Sequence, residues 1–329
     1  MPILEVENLV KHFPKRGGLL NRVIAKVHAL NGVTFQIQQG ETLGVVGESG
    51  CGKSTLGKTL LRLIEPTSGR IAFDGADITA LRYRGMMPLR REMQFIFQDP
   101  YSALNPRFTA ASMLREVIRF HRIRPPEKVE SYIDELIAKV GLRGDARNRY
   151  PHEFSGGQRQ RLNIARALAT RPKLILADEP VSALDVSVRA QILNLLMDLK
   201  DEYHLTVLFI SHDLKVVQHF CDRMLVMYLG HVVEELPCDD IHGQAKHPYT
   251  TALLGANPIN DPDDRHELTV LKGEVPSPYN PPPGCPFTTR CPLVEPRCRE
   301  SMPPLVPVGE QHRVACFPVV EKLTAATKT

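Results

Sequence analysis

A glycine-rich segment near the start of the chain has residue types and spacing suited to holding phosphate. It follows a short apolar run over 42–46 and reads Gly47, Glu48, Ser49, Gly50, Cys51, Gly52, Lys53, Ser54 and Thr55. Glycines let backbone N–H groups approach a phosphate, a lysine here neutralises β- and γ-oxygens, and a serine hydroxyl can hold Mg²⁺. The spacing therefore predicts a nucleoside-triphosphate site centred on Lys53 and Ser54.

Two adjacent carboxylates end another apolar run. Leu174, Ile175, Leu176 and Ala177 are followed directly by Asp178 and Glu179. The first carboxylate can hold Mg²⁺ through water, and the second can polarise an attacking water. An acidic pair at a strand end is by itself as often structural as functional. Downstream of the phosphate loop it predicts hydrolysis, with Glu179 as the general base.

A second phosphate-binding helix start lies about twenty residues before the acidic pair. It consists of Ser155, Gly156, Gly157 and Gln158, followed by the apolar spacing of a helix. Serine is a favoured N-cap, and two glycines permit an anion to approach the helix N-terminus. Because the chain already has one phosphate loop, this helix start is expected to serve the ATP held by another subunit.

The elements that position these motifs follow from hydrophobic periodicity. Short β-branched runs within the first 75 residues predict a small antiparallel sheet at 4–10, 33–37 and 71–73. Apolar spacings of three, four and seven over 108–148 predict an inserted helical subdomain, roughly residues 100–150. Short apolar strands at 174–177, 205–210 and 223–228 alternate with segments of helix length, which is typical of a wound α/β core.

Composition sets broad limits. The 329 residues carry a net charge of +4, with 43% hydrophobic and 24% charged residues. These values are ordinary for a soluble globular protein, and the charge neither requires nor excludes an anionic partner. The N-terminus lacks a signal-peptide pattern, and no apolar run approaches the roughly 18 residues of a spanning helix. We therefore expect a cytosolic protein that reaches a membrane only through a partner.

The last part of the chain differs in composition. After about residue 241 prolines crowd together, and four cysteines follow at Cys285, Cys291, Cys298 and Cys316. Clustered cysteines in a cytosolic chain indicate metal chemistry rather than disulfides, although their spacing is not that of a zinc ribbon. Zn²⁺, a [4Fe–4S] cluster and no metal at all stay open. His312 is expected at the surface rather than among the ligands.

These motifs, in this order, resemble the ATP-binding cassette (ABC) family. The family signature is Leu-Ser-Gly-Gly-Gln, and Phe154 stands here in place of the leucine. The resemblance covers residues 1 to about 240. It implies an α/β P-loop NTPase cassette with a RecA-like core, an N-terminal antiparallel β subdomain and the inserted helical subdomain. The composition adds a small Cys/Pro-rich C-terminal module over 241–329.

The resemblance also implies roles for single residues. Gln98 matches the glutamine that senses γ-phosphate, Mg²⁺ and the membrane partner, and Asp185 matches the aspartate at the dimer seam. His212 matches the switch histidine that contacts γ-phosphate. Phe13 matches the aromatic residue that stacks on adenine, with simple core packing as its alternative.

Two further segments are similar to the dipeptide/oligopeptide importer ATPases, in particular the second of their two paralogous subunits. They are residues 98–107 and residues 273–285. This subgroup implies a paralogous ATPase, two membrane permeases and an extracytoplasmic peptide-binding protein as partners, no nucleic acid, and a peripheral location on the cytoplasmic face of the inner membrane. Some members carry an iron–sulfur cluster at similar cysteines, which favours [4Fe–4S] over zinc here.

Rival functions make different demands on the sequence. Cassette ATPases that act on nucleic acid or the ribosome usually carry two cassettes or long coiled-coil insertions, whereas this sequence has one phosphate loop and no long heptad region. A regulatory subunit that does not hydrolyse ATP is expected to lose Glu179 or His212, and both are present. Nickel or another solute stays open as the cargo, since permeases and the external binding protein select it.

Overall fold

The computed structural model describes residues 1–17, 21–256 and 273–326. Its strands are β1 (Pro2–Gly17), β2 (Arg22–Gln38), β3 (Thr42–Val46), β4 (Ser68–Phe73), β5 (Ala76–Asp77), β6 (Met93–Ile96), β7 (Leu174–Asp178), β8 (Thr206–Ile210), β9 (Arg223–Tyr228), β10 (His231–Pro237), β11 (Val306–Gly309) and β12 (His312–Val314). Its α-helices are α1 (Lys53–Leu60), α2 (Tyr83–Glu92), α3 (Pro100–Ala103), α4 (Ala110–Phe120), α5 (Val129–Lys139), α6 (Gly156–Leu168), α7 (Val186–Tyr203), α8 (Leu214–Phe220), α9 (Ile241–Gln244), α10 (Pro248–Gly255), α11 (Pro296–Glu300) and α12 (Phe317–Ala326).

The chain divides into two compact units. The phosphate-loop unit consists of Pro2–Ile37, Leu43–Thr79 and Ser211–Thr329. The acidic-strand unit consists of Met1, Gln38–Thr42 and Ala80–Ile210. The chain passes between the units several times, so each unit collects segments that are distant in sequence. The boundary predicted near residue 240 stays a prediction.

The phosphate-loop unit contains two groups of strands. The first has the order β2-β1-β4-β5, with β1 antiparallel to β4 and Leu4 opposite Phe73. The second has the order β11-β12-β10-β9-β3, in which β3 and β9 are parallel and the pairs β9–β10, β10–β12 and β11–β12 are antiparallel. The first group confirms the predicted antiparallel sheet. Its strands β1 and β2 are longer than predicted because their exposed outer parts lack an alternating apolar pattern.

The acidic-strand unit is built on three parallel strands in the order β8-β7-β6. Every residue of β7 and β8 is buried, which is typical of strands covered on both faces. Ala177 pairs with Ile96 on one side and with Phe209 on the other. The carboxyl ends of the strands therefore meet at one edge, and the acidic pair lies at that edge.

Helices α4 and α5 form most of the predicted helical subdomain. The Thr109 side chain caps α4 by accepting from the Ser112 N–H at 3.3 Å. Each helix buries one apolar face at helical spacing: Ala110, Ala111, Met113, Leu114 and Ile118 in α4, and Val129, Tyr132, Ile133, Leu136 and Ile137 in α5. An ion pair between Arg115 Nε and Glu130 Oε1 joins the two helices at 2.6 Å. The helical prediction is confirmed because the apolar spacing matches the buried faces.

The C-terminal strands extend the sheet that contains β3. Strand β12 pairs with β10, placing Val314 opposite Glu234. His312 is 6% exposed, and its Nε2 lies 2.9 Å from Oε1 of the fully buried Glu234. The expectation of a surface histidine is therefore wrong, because a buried carboxylate requires polar partners.

Within the three described ranges, no helix combines the length and apolar character that crossing a membrane requires.

Candidate nucleotide site and cysteine cavity

The glycine-rich loop connects β3 to α1 and requires glycine at both ends. Gly47 has φ 149° and Gly52 has φ 110°, values that side chains disfavour. A Cβ at position 47 would lie 2.2 Å from the carbonyl oxygen of Met227, and one at position 52 would lie 2.3 Å from that of Ala29. At these two positions the loop therefore has a backbone conformation that favours glycine, and neighbouring carbonyl oxygens leave no room for a side chain.

Lys53 places its charge inside this loop. Its side chain is buried at 6% exposure, and Nζ donates to the carbonyl oxygens of Gly47 at 2.7 Å and Glu48 at 3.1 Å. Ser54 and Thr55 follow in the first turn of α1 and are partly exposed. The loop thus surrounds an ammonium group at a helix N-terminus, an arrangement that favours phosphate.

Two other predicted nucleotide contacts lie in the same unit. Phe13 is half-buried in β1, with Lys11 Nζ 4.8 Å from the centre of its ring. His212 is exposed and follows Ser211, whose N–H donates to the carbonyl oxygen of Val45 in β3 at 3.1 Å. The backbone at His212 therefore lies close to β3, the strand that leads into the glycine-rich loop. The roles of both side chains stay predictions.

Glu179 follows β7 in an unusual backbone conformation. Its φ is 46°, in the left-handed region, where a residue with a side chain costs about 1 kcal/mol or more. Its N–H donates to the carbonyl oxygen of Ile210 at 2.9 Å, and its carbonyl accepts from the Ser182 N–H at 3.2 Å. These bonds hold the strained residue in place. Asp178, immediately before it, is 4% exposed.

Gln98 contacts Glu179 directly. Its Nε2 donates to Glu179 Oε2 at 3.0 Å. The contact follows from topology, since β6 and β7 are parallel neighbours and each residue lies two positions beyond a paired residue, Ile96 or Ala177. An amide and a carboxylate in contact can together position a water for attack on a phosphate, which hydrolysis requires.

The helix start at Ser155 forms a capping box. Ser155 Oγ accepts from the Gln158 N–H at 3.4 Å, and Gln158 Oε1 accepts from the Ser155 N–H at 3.1 Å. Phe154 is 3% exposed, with the Arg149 guanidinium 4.5 Å from its ring centre, so it fills an apolar position as leucine would. Asp185 occupies the N-cap position of α7 in the same unit.

The predicted residues fall into two sets by unit. Phe13, the loop with Lys53 and Ser54, His212 and the clustered cysteines belong to the phosphate-loop unit. Gln98, Asp178, Glu179, Ser155 to Gln158, and Asp185 belong to the acidic-strand unit. Each unit therefore carries a different part of the predicted chemistry.

The four clustered cysteines line one cavity. His247, Phe287 and Phe317 contribute to the same wall. Burial raises the pKa of the Cys285 and Cys316 thiols to about 11, with a smaller contribution from the neighbouring cysteines. Among the described residues, no three Cys, His, Asp or Glu side chains lie close enough to hold one metal ion.

Sequence reasoning missed three residues around these sites. His247 lines the cysteine cavity, and burial lowers its pKa to about 4. Arg290 and Tyr249 both bind Glu48 in the phosphate loop. No short-range signal could reveal these contacts, because Arg290 lies 242 positions from Glu48 and Tyr249 lies 201 positions from it.

Two family profiles match the chain. The profile described as "ABC transporter" covers residues 30–182, which include the phosphate loop and the acidic strand. The profile described as "Oligopeptide/dipeptide transporter, C-terminal region" covers residues 233–298. The second match includes Arg290 and three of the clustered cysteines.

Relatives resemble the chain over most of its length. A probable peptide ABC transporter ATP-binding protein of Sinorhizobium fredii is 52% identical over 95% of this chain and 89% of its own length. The oligopeptide transport ATP-binding protein AppF of Bacillus subtilis is 49% identical over 95% of this chain and 96% of its own. A solved dimeric post-hydrolysis state of the ATP-binding cassette MJ0796, bound to ADP and Pi, has a TM-score of 0.64 at 32% identity, covering 71% of this chain and 98% of that one. The chain therefore belongs to the ATP-binding proteins of the ABC transporter family, with the α/β fold of their cassette ATPases and the C-terminal region of the oligopeptide/dipeptide transporters.

Proposed function

We propose that the chain is the ATP-hydrolysing subunit of an ABC importer that takes up peptides. The observation that carries the proposal is its identity of about half to peptide-transport ATP-binding proteins, which spans both the phosphate loop and the C-terminal region. The buried Lys53 inside the glycine loop supports ATP as the ligand. The contact between Gln98 and Glu179 supports hydrolysis rather than binding alone.

The proposed roles divide between binding and hydrolysis. Lys53 and the N–H groups of residues 47–55 bind the phosphates, and Phe13 contacts the adenine. The hydroxyl of Ser54, the amide oxygen of Gln98 and the carboxylate of Asp178 are the oxygen ligands that Mg²⁺ prefers. Glu179 accepts a proton from water, while Gln98 and His212 orient that water and the γ-phosphate.

The proposed working form is a dimer of cassettes. The ATP site of one subunit is completed by the helix start of the other, Ser155 to Gln158, with Asp185 at the interface between the two subunits. A paralogous ATPase is the expected partner. The capping box supports this role because it leaves Gly156 at the helix N-terminus with no side chain in the way of an anion. ATP-driven closure would then move two permeases that receive peptide from an extracytoplasmic binding protein, with this chain on the cytoplasmic face of the inner membrane.

Reconstitution of the transporter tests the proposed function. The chain is combined in liposomes with its sister ATPase and two permeases, and ATP hydrolysis is measured after adding the binding protein with and without peptide. We expect the peptide-loaded binding protein to stimulate hydrolysis several-fold, because closure depends on coupling to the permeases. Stimulation by duplex DNA or ribosomes instead would contradict transport, and stimulation by Ni²⁺ without peptide would contradict the cargo.

The cysteine cavity is the proposed site of an iron–sulfur cluster, as in those members of the subgroup that carry one at similar cysteines. Four thiols line it, which is the number of ligands that a [4Fe–4S] cluster takes. Cys285, Cys291, Cys298 and Cys316 would be the ligands. A bound [4Fe–4S] cluster would cross-link the C-terminal region through four thiolates and make its stability dependent on redox conditions.

Anaerobic purification tests the metal assignment. We expect about four irons and four sulfides per chain and a broad visible absorption band that bleaches on reduction. Cys298→Ser should lose most of the iron because it removes a ligand. Cys221→Ser, which changes a buried cysteine outside the cavity, should retain it. One zinc per chain without the band, or no bound metal in the wild type, would contradict the cluster.

A further inference from the structure

The carboxylate of Glu48 is held by an arginine from the C-terminal region. Arg290 Nη1 donates to Glu48 Oε2 at 2.7 Å, and Nη2 donates to Oε1 at 3.0 Å. The Arg290 side chain is 5% exposed and that of Glu48 is 25% exposed. A bidentate pair so shielded from water has a fixed geometry and a strong mutual dependence, unlike a surface ion pair.

The backbone of Glu48 is held from the same region. Its N–H donates to the hydroxyl of Tyr249 at 2.8 Å. The Tyr249 ring is fully buried and lies 4.7 Å from the ring of Tyr228 and 5.4 Å from that of Phe287, centre to centre. Because Phe287 also lines the cysteine cavity, its contact with Tyr249 connects that cavity with the phosphate loop.

Glu48 connects the C-terminal region with Lys53, the predicted phosphate-binding lysine. Its carbonyl oxygen accepts from Lys53 Nζ at 3.1 Å, while its side chain binds Arg290. A shift of the Glu48 backbone would therefore change the position of the ammonium group. The Glu48 carboxylate also adds a negative charge to a loop suited to polyphosphate, and such a charge weakens anion binding unless a cation neutralises it.

We infer that Arg290 is a positioning residue of the nucleotide site, which acts through Glu48 to neutralise and orient the phosphate loop. The inference rests on the ATP site of the proposed function. If Arg290 has this role, the C-terminal region contributes to the affinity of the chain for nucleotide. Since Arg290 precedes Cys291 in sequence, rearrangement of the cysteine cavity would reach the loop through this arginine.

A double-mutant cycle on nucleotide affinity tests the inference. The full-length chain is prepared as wild type, Arg290→Met, Glu48→Gln and the double variant, and the Kd of a fluorescent ATP analogue with Mg²⁺ is measured alongside the thermal unfolding midpoint. We expect Arg290→Met to weaken binding about tenfold or more, because it leaves the carboxylate unneutralised beside the phosphates. Adding Glu48→Gln should restore most of that loss. A purely structural role would lower the unfolding midpoint without this recovery of affinity.

Two further variants complete the design. Arg297→Met removes another arginine of the same region, one that pairs with Glu295 and Glu321, and should bind the analogue as the wild type does. Arg290→Lys keeps the charge without the bidentate geometry and should give an intermediate affinity; with Glu48→Gln it provides the same cycle if Arg290→Met does not fold.

The outcomes separate this inference from the proposed function. Wild-type affinity in Arg290→Met, or losses that simply multiply in the double variant, would overturn the role of Arg290 and leave the ATP site intact. A folded wild-type chain that does not bind the analogue would contradict the ATP site itself, and the inference with it.

Discussion

Replacing Glu179 with glutamine is expected to lower ATP hydrolysis by at least about a hundredfold while nucleotide binding persists. General-base catalysis typically contributes about 10² to 10⁴ to a rate, and glutamine cannot accept the proton. The substitution is nearly isosteric, and the φ of 46° and the two backbone hydrogen bonds of residue 179 do not depend on the carboxylate. The effect should therefore appear in kcat, measured as phosphate release by the assembled transporter.

A control variant separates loss of the base from loss of negative charge. Glu202 is exposed and pairs with Lys139 at 2.6 Å in the same unit. Glu202→Gln should keep the wild-type rate, because a surface ion pair contributes little to stability and this one lies outside the predicted site. If Glu179→Gln released phosphate at the wild-type rate, the base would have to be another residue.

Replacing Lys53 with alanine is expected to weaken ATP binding about a hundredfold and to abolish measurable hydrolysis. Each hydrogen bond to a charged group contributes about 1.5–3 kcal/mol, and the lysine is predicted to bind both β- and γ-oxygens. The buried ammonium already lies inside the loop, so it is positioned before nucleotide arrives. Equilibrium titration with ATP analogues measures the loss.

Lys58 provides the matched control for Lys53. It belongs to the same helix and lies in its last turn, away from the glycine loop. Lys58→Ala should bind ATP with wild-type affinity, since its charge is at the opposite end of the helix. Equal affinities for Lys53→Ala and wild type would show that the glycine loop is not the nucleotide site.

Local patterns were sufficient for most elements near the predicted chemistry. Strand β3 has the predicted bounds, 42–46, and β9 has the predicted bounds, 223–228. The N-cap at Ser155 was likewise visible in the sequence, and the structure shows that Gln158, three residues on, completes it as a capping box. Such features depend on neighbours in the chain, so their residues suffice to predict them.

Packing gave different roles to residues that look alike in sequence. A Cβ on Gly157 would lie 2.4 Å from Cγ1 of Val188, whereas the nearest atom to one on Gly156 is Cδ2 of Leu184 at 3.5 Å. A side chain at position 157 would therefore have to displace Val188 of helix α7, while position 156 does not have this constraint. Sequence alone presented the two glycines as equivalent.

The phosphate loop, the acidic pair, the second helix start and the family could all be predicted from the amino-acid sequence, because each depends on residue types at short, fixed spacing. Other features became visible only in the folded chain: His312 is buried against Glu234, His247 lines the cysteine cavity, and Arg290 binds Glu48. These contacts join residues from 38 to 242 positions apart. Chain topology creates such contacts, and local propensity contains no information about them.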